Sequence, residues 1–117
     1  MPAIKVKRVY EEPSRSDGYR VLVDRVWPRG ISKEGAAVKE WLKEVGPSTA
    51  LRKWFDHDPA KWDDFRRRYF AELDAGPPGL ADLQARARAG MVTLVYSARD
   101  TEHNQAVALR EWLEGAG

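Results

Sequence analysis

Two short apolar runs, separated by segments of helical periodicity, constrain the fold of this 117-residue chain more than any other feature. The first lies between Tyr19 and Arg25 and contains Val21, Leu22 and Val23, and the second covers Met91 to Tyr96. Continuous apolar runs of this length are typical of strands that are buried on both faces, as in parallel sheets. Parallel neighbours need long crossover connections, and the chain between the two runs is long enough to hold several helices.

The rest of the chain completes an α/β pattern. Apolar and basic residues alternate from Ile4 towards Val9, which predicts a half-exposed first strand. A polar segment over residues 11–18 predicts a surface loop. Helices are predicted after an N-cap at Ser48 as far as Asp56, from Asp58 to about Leu73, between Leu80 and Gly90, and at the end of the chain after a cap at Asp100 or Thr101. Strands that alternate with helices predict a small, mostly parallel sheet with helices on both faces, and we assign residues 1–117 to a single domain.

Residues 36–45 fit two structures. Val38, Trp41 and Val45 have helical spacing, whereas Trp41, Lys43 and Val45 also alternate as in a strand. We favour the strand, and the choice stays open at this point.

Composition excludes several classes of function. The chain has no Cys, so disulfides, thiolate nucleophiles and Cys-ligated metals are excluded. With only two His, we predict no metal site, and no motif calls for a cofactor. The segment Met1 to Arg8 has no apolar core of a signal peptide, and no apolar run reaches membrane-spanning length. We therefore predict a cytoplasmic protein with no membrane partner.

Charge is unevenly distributed along the chain. The formal net charge is +2. Residues 1–33 carry eight Lys and Arg against four Asp and Glu, whereas residues 34–117 carry twelve against fourteen. A local excess of this size suits a small anion better than a long nucleic-acid groove, which needs a larger basic stripe.

Polar segments follow both apolar runs at the point where each strand is expected to end. The first run leads into Asp24-Arg25-Val26-Trp27-Pro28-Arg29-Gly30, and the second leads into the segment from Ser97 to Asn104. Open α/β sheets bind ligands at the carboxyl ends of their strands, where these two loops should meet. The last helix would add free amides and the positive end of its dipole.

These loops supply the candidate site residues. For ligand binding we predict Arg25, Arg29, Lys33, Ser97, Arg99, Asp100 and Asn104, and for proton transfer Asp24 or His103. Two simpler interpretations stay open: Asp24 pairs with a neighbouring Arg, and Trp27 fills the core. Arg25 should also point away from Asp24 unless a turn intervenes.

Familiar catalytic and nucleotide-binding motifs are not present. Gly30 to Gly35 has the glycine spacing of a phosphate loop, but Ala36 and Ala37 stand where Lys and Ser or Thr are required. Neither apolar run is followed by a dinucleotide-binding fingerprint. Ser97 is not in a nucleophile elbow, so a triad with Asp100 and His103 is disfavoured.

Several motifs occur in a specific order that covers nearly the whole chain. They are Asp24 to Lys33, Ala50 to Pro59, Tyr69 to Leu73 and Val92 to Asn104. In these segments the chain resembles the short, YeaO-like branch of the DUF488 family. The resemblance implies a small cytoplasmic α/β domain and no established reaction. Longer members carry a Cys-containing pattern after the last buried strand, where this chain has Glu102-His103-Asn104, so their thiol or metal chemistry is not carried over.

The leading hypothesis is that the protein binds a small anionic ligand, bearing phosphate or carboxylate, at the strand carboxyl ends. The alternative is a non-catalytic module that binds nucleic acid or protein, with Trp27 or Trp54 as an anchor. Whether the protein is an enzyme, which ligand it takes and its oligomeric state are questions that the sequence leaves open.

Overall fold

The computed structural model describes residues 4–116, which form a sheet and five α-helices. The strands are β1 (Ile4–Arg8), β2 (Tyr19–Leu22), β3 (Glu40–Trp41) and β4 (Val92–Tyr96). The helices are α1 (Lys33–Ala36), α2 (Thr49–Phe55), α3 (Trp62–Asp74), α4 (Leu80–Ala89) and α5 (Gln105–Ala116). Within this range no helix has the length and apolar character needed to cross a membrane.

The sheet is parallel throughout and has the order β1-β4-β2-β3. β4 lies between β1 and β2, and its Leu94 is in register with Val6 on one side and Val21 on the other. The predicted α/β class with a parallel sheet is therefore confirmed. Because β2 and β4 are neighbours that run in the same direction, the loops that follow them leave the same edge of the sheet.

The two faces of the sheet are covered unequally. Helices α2 to α5 contribute to the larger core, which packs against Val21, Val23 and Leu94. Leu22 and Val95 alternate with these residues and point to the other face. There they pack with a small cluster made by the chain that crosses from β2 to β3, which contributes Ala36, Trp27, Ile31 and Val38. Helices lie on both faces, as predicted, but the second face has only the four-residue α1.

The start of α2 follows the prediction closely. The Ser48 hydroxyl accepts a hydrogen bond from the Leu51 N–H at 3.2 Å, and the helix ends at Phe55. Asp58 also caps as expected, accepting from the Ala60 N–H at 3.0 Å, but a 3-10 turn over Pro59–Lys61 precedes α3. The caps were predictable because Ser and Asp satisfy first-turn amides through their own side chains.

Residues 36–45 divide between several conformations. The favoured strand exists, but as the two-residue edge strand β3, which is followed by a 3-10 turn over Lys43–Val45. The Trp41 indole N–H donates to the Asp24 carbonyl at 2.7 Å and so joins this edge to the end of β2. The mixed periodicity of the sequence reflects this rapid succession of short elements.

At the amino end of β2 the loop holds a buried carboxylate. Asp17 is fully buried and forms ion pairs with Arg20 at 2.7 Å, Lys5 at 3.1 Å and Lys7 at 3.2 Å. The Thr93 hydroxyl donates to the Asp17 carbonyl at 2.7 Å. Burial alone would raise the pKa of Asp17, but hydrogen bonds from the Ser14 N–H and the three cations outweigh it and hold the pKa well below its usual range.

The predicted surface loop over residues 11–18 is therefore more ordered than its composition indicated. It contains a 3-10 turn over Arg15–Asp17, in which the Ser14 hydroxyl accepts a hydrogen bond from the Ser16 N–H and the Asp17 carboxylate accepts one from the Ser14 N–H. Gly18 follows with a φ of 65°, and a Cβ there would lie 2.4 Å from the Met91 carbonyl oxygen. Only glycine fits this close approach to the chain that enters β4.

Candidate functional site

A cavity of about 150 Å³ lies at the carboxyl ends of β2 and β4, where the two polar loops meet. We call it the carboxyl-edge cavity. Three parts of the chain form its polar wall: the β2 exit with Asp24 and Arg25, the β4 exit with Ser97, and the start of α5 with His103 and Gln105. Helix α2 adds Arg52 and Phe55. The predicted convergence of the two loops is thus observed.

Asp24 lies at the buried end of this wall, with 7% of its surface exposed. Its Oδ1 accepts a hydrogen bond from the Gln105 side-chain amide, and its Oδ2 accepts none from the described residues. Burial raises the pKa of Asp24, and the nearby hydroxyl and N–H of Ser97, together with Gln105 and Arg52, offset this only in part. No ion pair joins Asp24 to an Arg within residues 4–116, so the simple pairing with Arg25, Arg29 or Arg99 is not observed.

Arg25 faces the same cavity as Asp24 because β2 ends earlier than predicted, at Leu22 rather than Arg25. The chain bends at residues 25 and 26, which removes the strand alternation that would have separated the two side chains. The Arg25 guanidinium donates from Nε to the Pro47 carbonyl at 2.8 Å and from Nη2 to the Gly46 carbonyl at 3.0 Å. It therefore holds the chain before α2 against the end of β2.

The start of α5 is capped by Asn104, four residues later than the earliest predicted cap. The Asn104 side-chain oxygen accepts from the Val107 N–H at 3.0 Å, and its amide donates to the Asp100 carbonyl at 2.9 Å. Asp100 caps the preceding turn instead, since its Oδ1 accepts from the N–H groups of Glu102 and His103, each at 2.9 Å. These two backbone N–H groups, followed by His103 itself, hold the pKa of Asp100 below its usual value.

His103 is oriented by its neighbours. Its Nδ1 lies 2.9 Å from Asp100 Oδ2, and its ring meets Trp62 edge-on with centroids 5.4 Å apart. The carboxylate fixes one ring nitrogen, and the imidazole lines the cavity. Ser97 lines the same cavity, so the structure brings together the three residues of the disfavoured triad, with a hydrogen bond between two of them.

The predicted ligand residues fall into three groups. Arg25, Ser97 and Asn104 line the carboxyl-edge cavity together with both proton-transfer candidates. Arg99 and Asp100 line an adjoining, more open depression, which shares Ser97 and His57. Arg29 and Lys33 line neither.

Arg29 and Lys33 both belong to the connection from β2 to β3, which covers the second face of the sheet. The Arg29 carbonyl accepts from the Tyr10 hydroxyl at 3.1 Å, and Lys33 begins α1. Trp27 is half-buried in the small cluster, and its indole N–H donates to the Ile31 carbonyl at 2.7 Å. It therefore has the core role that the sequence left open.

Arg52, His57 and Gln105 are polar residues of the cavity that the sequence did not identify as site residues. Arg52 lies on α2, which is part of the long connection between β3 and β4. This connection places α2 at the carboxyl edge of the sheet, and no local sequence pattern predicts that position. Gln105 is the first residue of α5, and it was missed because the helix was expected to begin earlier. Within residues 4–116 no group of three or more His, Asp or Glu side chains is arranged to hold a metal ion.

The sequence matches the family described as the inactive DUF488-N3 subclade over residues 3–116. The uncharacterized protein YeaO of Escherichia coli strain K12 is 47% identical over 113 residues, which cover 94% of this chain and 96% of YeaO. The uncharacterized protein Rv3073c of Mycobacterium tuberculosis strain H37Rv is 41% identical over 112 residues, covering 96% and 94% of the two chains. No solved structure matches this chain.

Proposed function

Because the chain belongs to the DUF488 family, in the subclade described as inactive, we propose that its carboxyl-edge cavity binds a small anionic ligand without transforming it. The ligand carries a carboxylate or a phosphate. The observation that carries this proposal is the position of Arg52, which lines the cavity and forms no ion pair with any residue between 4 and 116. An exposed guanidinium at a concave site is a good partner for a planar carboxylate or a phosphate.

The first turn of α5 supports the same conclusion. In any α-helix the first N–H groups lack an acceptor within the helix, and here Asn104 satisfies only that of Val107. The N–H groups of Gln105 and Ala106 lie in the turn that begins beside the cavity. Partial positive charge at this end of a twelve-residue helix favours an anion near Arg52.

The remaining predicted residues have supporting roles in this proposal. Ser97 and Asn104 offer polar groups on the cavity wall, and Arg25 holds the wall in place through its bonds to the chain before α2. Arg29 and Lys33 act only through their long-range charge. We assign the Asp100 and His103 pair to fixing the loop after β4, rather than to proton transfer.

We also propose that the protein is cytoplasmic, as the sequence predicts. The absence of Cys supports this location, since a chain without disulfides needs no oxidising compartment. A fractionation experiment with antibodies against the native protein would test it.

Thermal shift measurements with inorganic phosphate, acetate and isovalerate test the binding proposal. A ligand that binds only the folded state raises stability by about 2.7 kcal/mol at a concentration one hundred times its Kd. We expect at least one of these anions to raise Tm, and the substitution Arg52→Gln to weaken its binding about tenfold or more. Lys53→Gln is the matched control, because Lys53 is exposed on the same helix and does not line the cavity.

Two results would contradict the proposal. One is that none of the three anions changes Tm at millimolar concentration. The other is that Arg52→Gln and Lys53→Gln weaken binding equally, since that would indicate a general effect of surface charge rather than a site.

A second candidate function is nucleic-acid binding on the second face of the sheet. Lys5 and Lys7, which share Asp17 with Arg20 as a counter-charge, lie on this face, because they alternate with Ile4 and Val6, which belong to or pack against the larger core. Trp41 is in register with Leu22 and is 40% exposed, so it offers an aromatic surface on the same face at the opposite edge of the sheet, where the Lys43 ammonium lies 5.3 Å from its ring centroid. Basic residues next to an exposed aromatic ring are typical of single-strand binding surfaces.

Binding of a fluorescent single-stranded oligonucleotide at low and moderate salt tests this second candidate. We expect affinity to fall steeply with salt and to be lost in a variant that combines Arg29→Ala with Trp41→Ala. If the oligonucleotide does not bind at low salt, the second candidate is wrong.

A further inference from the structure

Besides Arg52, the carboxyl-edge cavity contains the carboxyl group of Asp24. This group indicates that the ligand has a cationic end in addition to its anionic end. We propose that its ligand is a small zwitterion, in which an ammonium group binds Asp24 and a carboxylate or phosphate binds at Arg52. This inference rests on the proposed function, because it takes the anion at Arg52 as its starting point. What it adds is the chemistry at the other end of the ligand.

The first argument is the incomplete hydrogen bonding of Asp24. The side chain is more than nine-tenths buried, and Gln105 satisfies only one of its two oxygens. Buried carboxylate oxygens in folded proteins nearly always accept hydrogen bonds, and one that does not is costly to leave unpaired. Since Asp24 lines the cavity, a ligand that brings an N–H donor supplies what the described residues do not.

The second argument is the distribution of charge along the cavity. Its buried end has the carboxyl group of Asp24, while its exposed end has the guanidinium of Arg52. Arg25, which also lines the wall, already donates to two carbonyl groups. A lone anion would therefore meet Asp24 at close range, whereas a zwitterion places an opposite charge at each end.

The third argument is the size and character of the walls. The side chains of Phe55, Phe65 and Val26 give the cavity wall an apolar component in addition to its charged groups. A cavity of about 150 Å³ can hold a group as large as benzene. The ligand is accordingly of the size of a small amino acid, and its carbon skeleton contacts these apolar residues.

Matched sets of probes test the proposal on the full wild-type chain. L-valine, isovalerate and isobutylamine share one carbon skeleton and carry both charged groups, only the carboxylate, or only the ammonium. Glycine, acetate and methylamine form a smaller set of the same design. Isothermal titration calorimetry or thermal shift at pH 7 measures all six compounds. We expect the zwitterion of at least one set to bind about tenfold more tightly than its carboxylate partner.

Two variants then assign each charged group to its contact. Asp24→Asn keeps the size of the side chain and an acceptor for Gln105 but removes the charge, so it should weaken the zwitterion about tenfold and leave the carboxylate compound unchanged or tighter. Arg52→Gln should weaken the zwitterion and the carboxylate compound by the same factor. Circular dichroism confirms that each variant is folded, and the wild-type comparison of the probes needs no variant.

The outcomes separate this inference from the proposed function. If isovalerate and acetate bind as tightly as L-valine and glycine, and Arg52→Gln weakens them, the anion site stands and the zwitterion proposal is wrong. A protonated Asp24 that donates to a lone anion would give that result. If inorganic phosphate binds but no carboxylate or zwitterion does, the anion site stands and the zwitterion proposal is wrong, and if none of these compounds binds, both proposals fail.

Discussion

A buried carboxylate lies near each end of β2, and the two differ in how completely hydrogen bonds and ion pairs satisfy them. At the amino end, Asp17 is surrounded by Lys5, Lys7 and Arg20, and its carboxylate has three cationic partners. At the carboxyl end, Asp24 accepts a hydrogen bond from the Gln105 amide and lies near the hydroxyl and N–H of Ser97, while its Oδ2 has no hydrogen-bond partner among the described residues. The contrast separates two uses of the same side chain: a saturated carboxylate stabilises the fold, while an unsaturated one at a cavity is available to a ligand.

The contrast also appears in the direction of the pKa shifts. At Asp17 hydrogen bonds and cations overcome the effect of burial, so its pKa is lowered. At Asp24 burial dominates, so its pKa is raised. The charged form is favoured by the fold in the first case and penalised in the second, and the two residues should therefore respond oppositely to substitution and to pH.

The largest expected effect is that of Asp17→Asn. This substitution leaves the buried Arg20 and the half-buried Lys7 without their counter-charge, so the free energy of unfolding should fall by about 3–5 kcal/mol. Urea denaturation at pH 7 measures the change. Asp63→Asn is the control, because the Asp63 side chain is 91% exposed, and it should change stability by less than about 0.5 kcal/mol. A loss below 1 kcal/mol at Asp17 would show that the cluster is not a stabilising element.

The next effect is the pH dependence of wild-type stability that Asp17 contributes. Its pKa in the folded state lies below the ordinary value of 3.8, so its stabilisation is complete well above pH 3.8 and is lost as the pH falls further. One such group changes the free energy of unfolding by at most about 1.4 kcal/mol per pH unit. Denaturation at several values between pH 2.5 and 6 should show a difference between wild type and Asp17→Asn that narrows towards low pH. A constant difference would contradict the assignment.

A smaller effect of opposite sign is expected for Asp24→Asn. The folded state raises the pKa of Asp24 above 3.8, so the unfolded chain ionises first as the pH rises and the wild type loses stability over that interval. The Asn variant avoids this loss and should be more stable at pH 7 by about 1 kcal/mol. Its advantage should disappear below pH 3.8. If the variant is less stable at pH 7, Asp24 contributes to the fold in the same way as Asp17.

The smallest effect on stability is expected for Arg52→Gln. Its side chain is exposed and makes no ion pair with the described residues, so the free energy of unfolding should change by no more than about 0.5 kcal/mol. The same variant should lose affinity for the anions named above. Paired measurements of Tm with and without isovalerate test both parts. A large loss of stability would place Arg52 with the residues that hold the fold.

Much of the fold followed from local signals in the sequence. Ser48 and Asp58 were identifiable as caps because each satisfies amides within its own first turn. β4 was identifiable because a strand buried on both faces is apolar at nearly every position. The exact ends were less predictable: β2 was expected to reach Arg25, and α5 was expected to begin after Asp100 or Thr101, because a bend or a late cap depends on contacts with distant residues.

By itself the sequence determined the parallel α/β class and the meeting of two polar loops at one edge of the sheet, because both follow from strand direction and periodicity. It also placed Asp24, Arg25, Ser97, His103 and Asn104 near that edge. Only the tertiary structure decided that Arg52 and Gln105 complete the cavity, that Arg29 and Lys33 lie outside it, and that Asp17 is saturated whereas Asp24 is not. These outcomes depend on which side chains from distant segments meet in space, and no local pattern in a chain encodes such pairings directly.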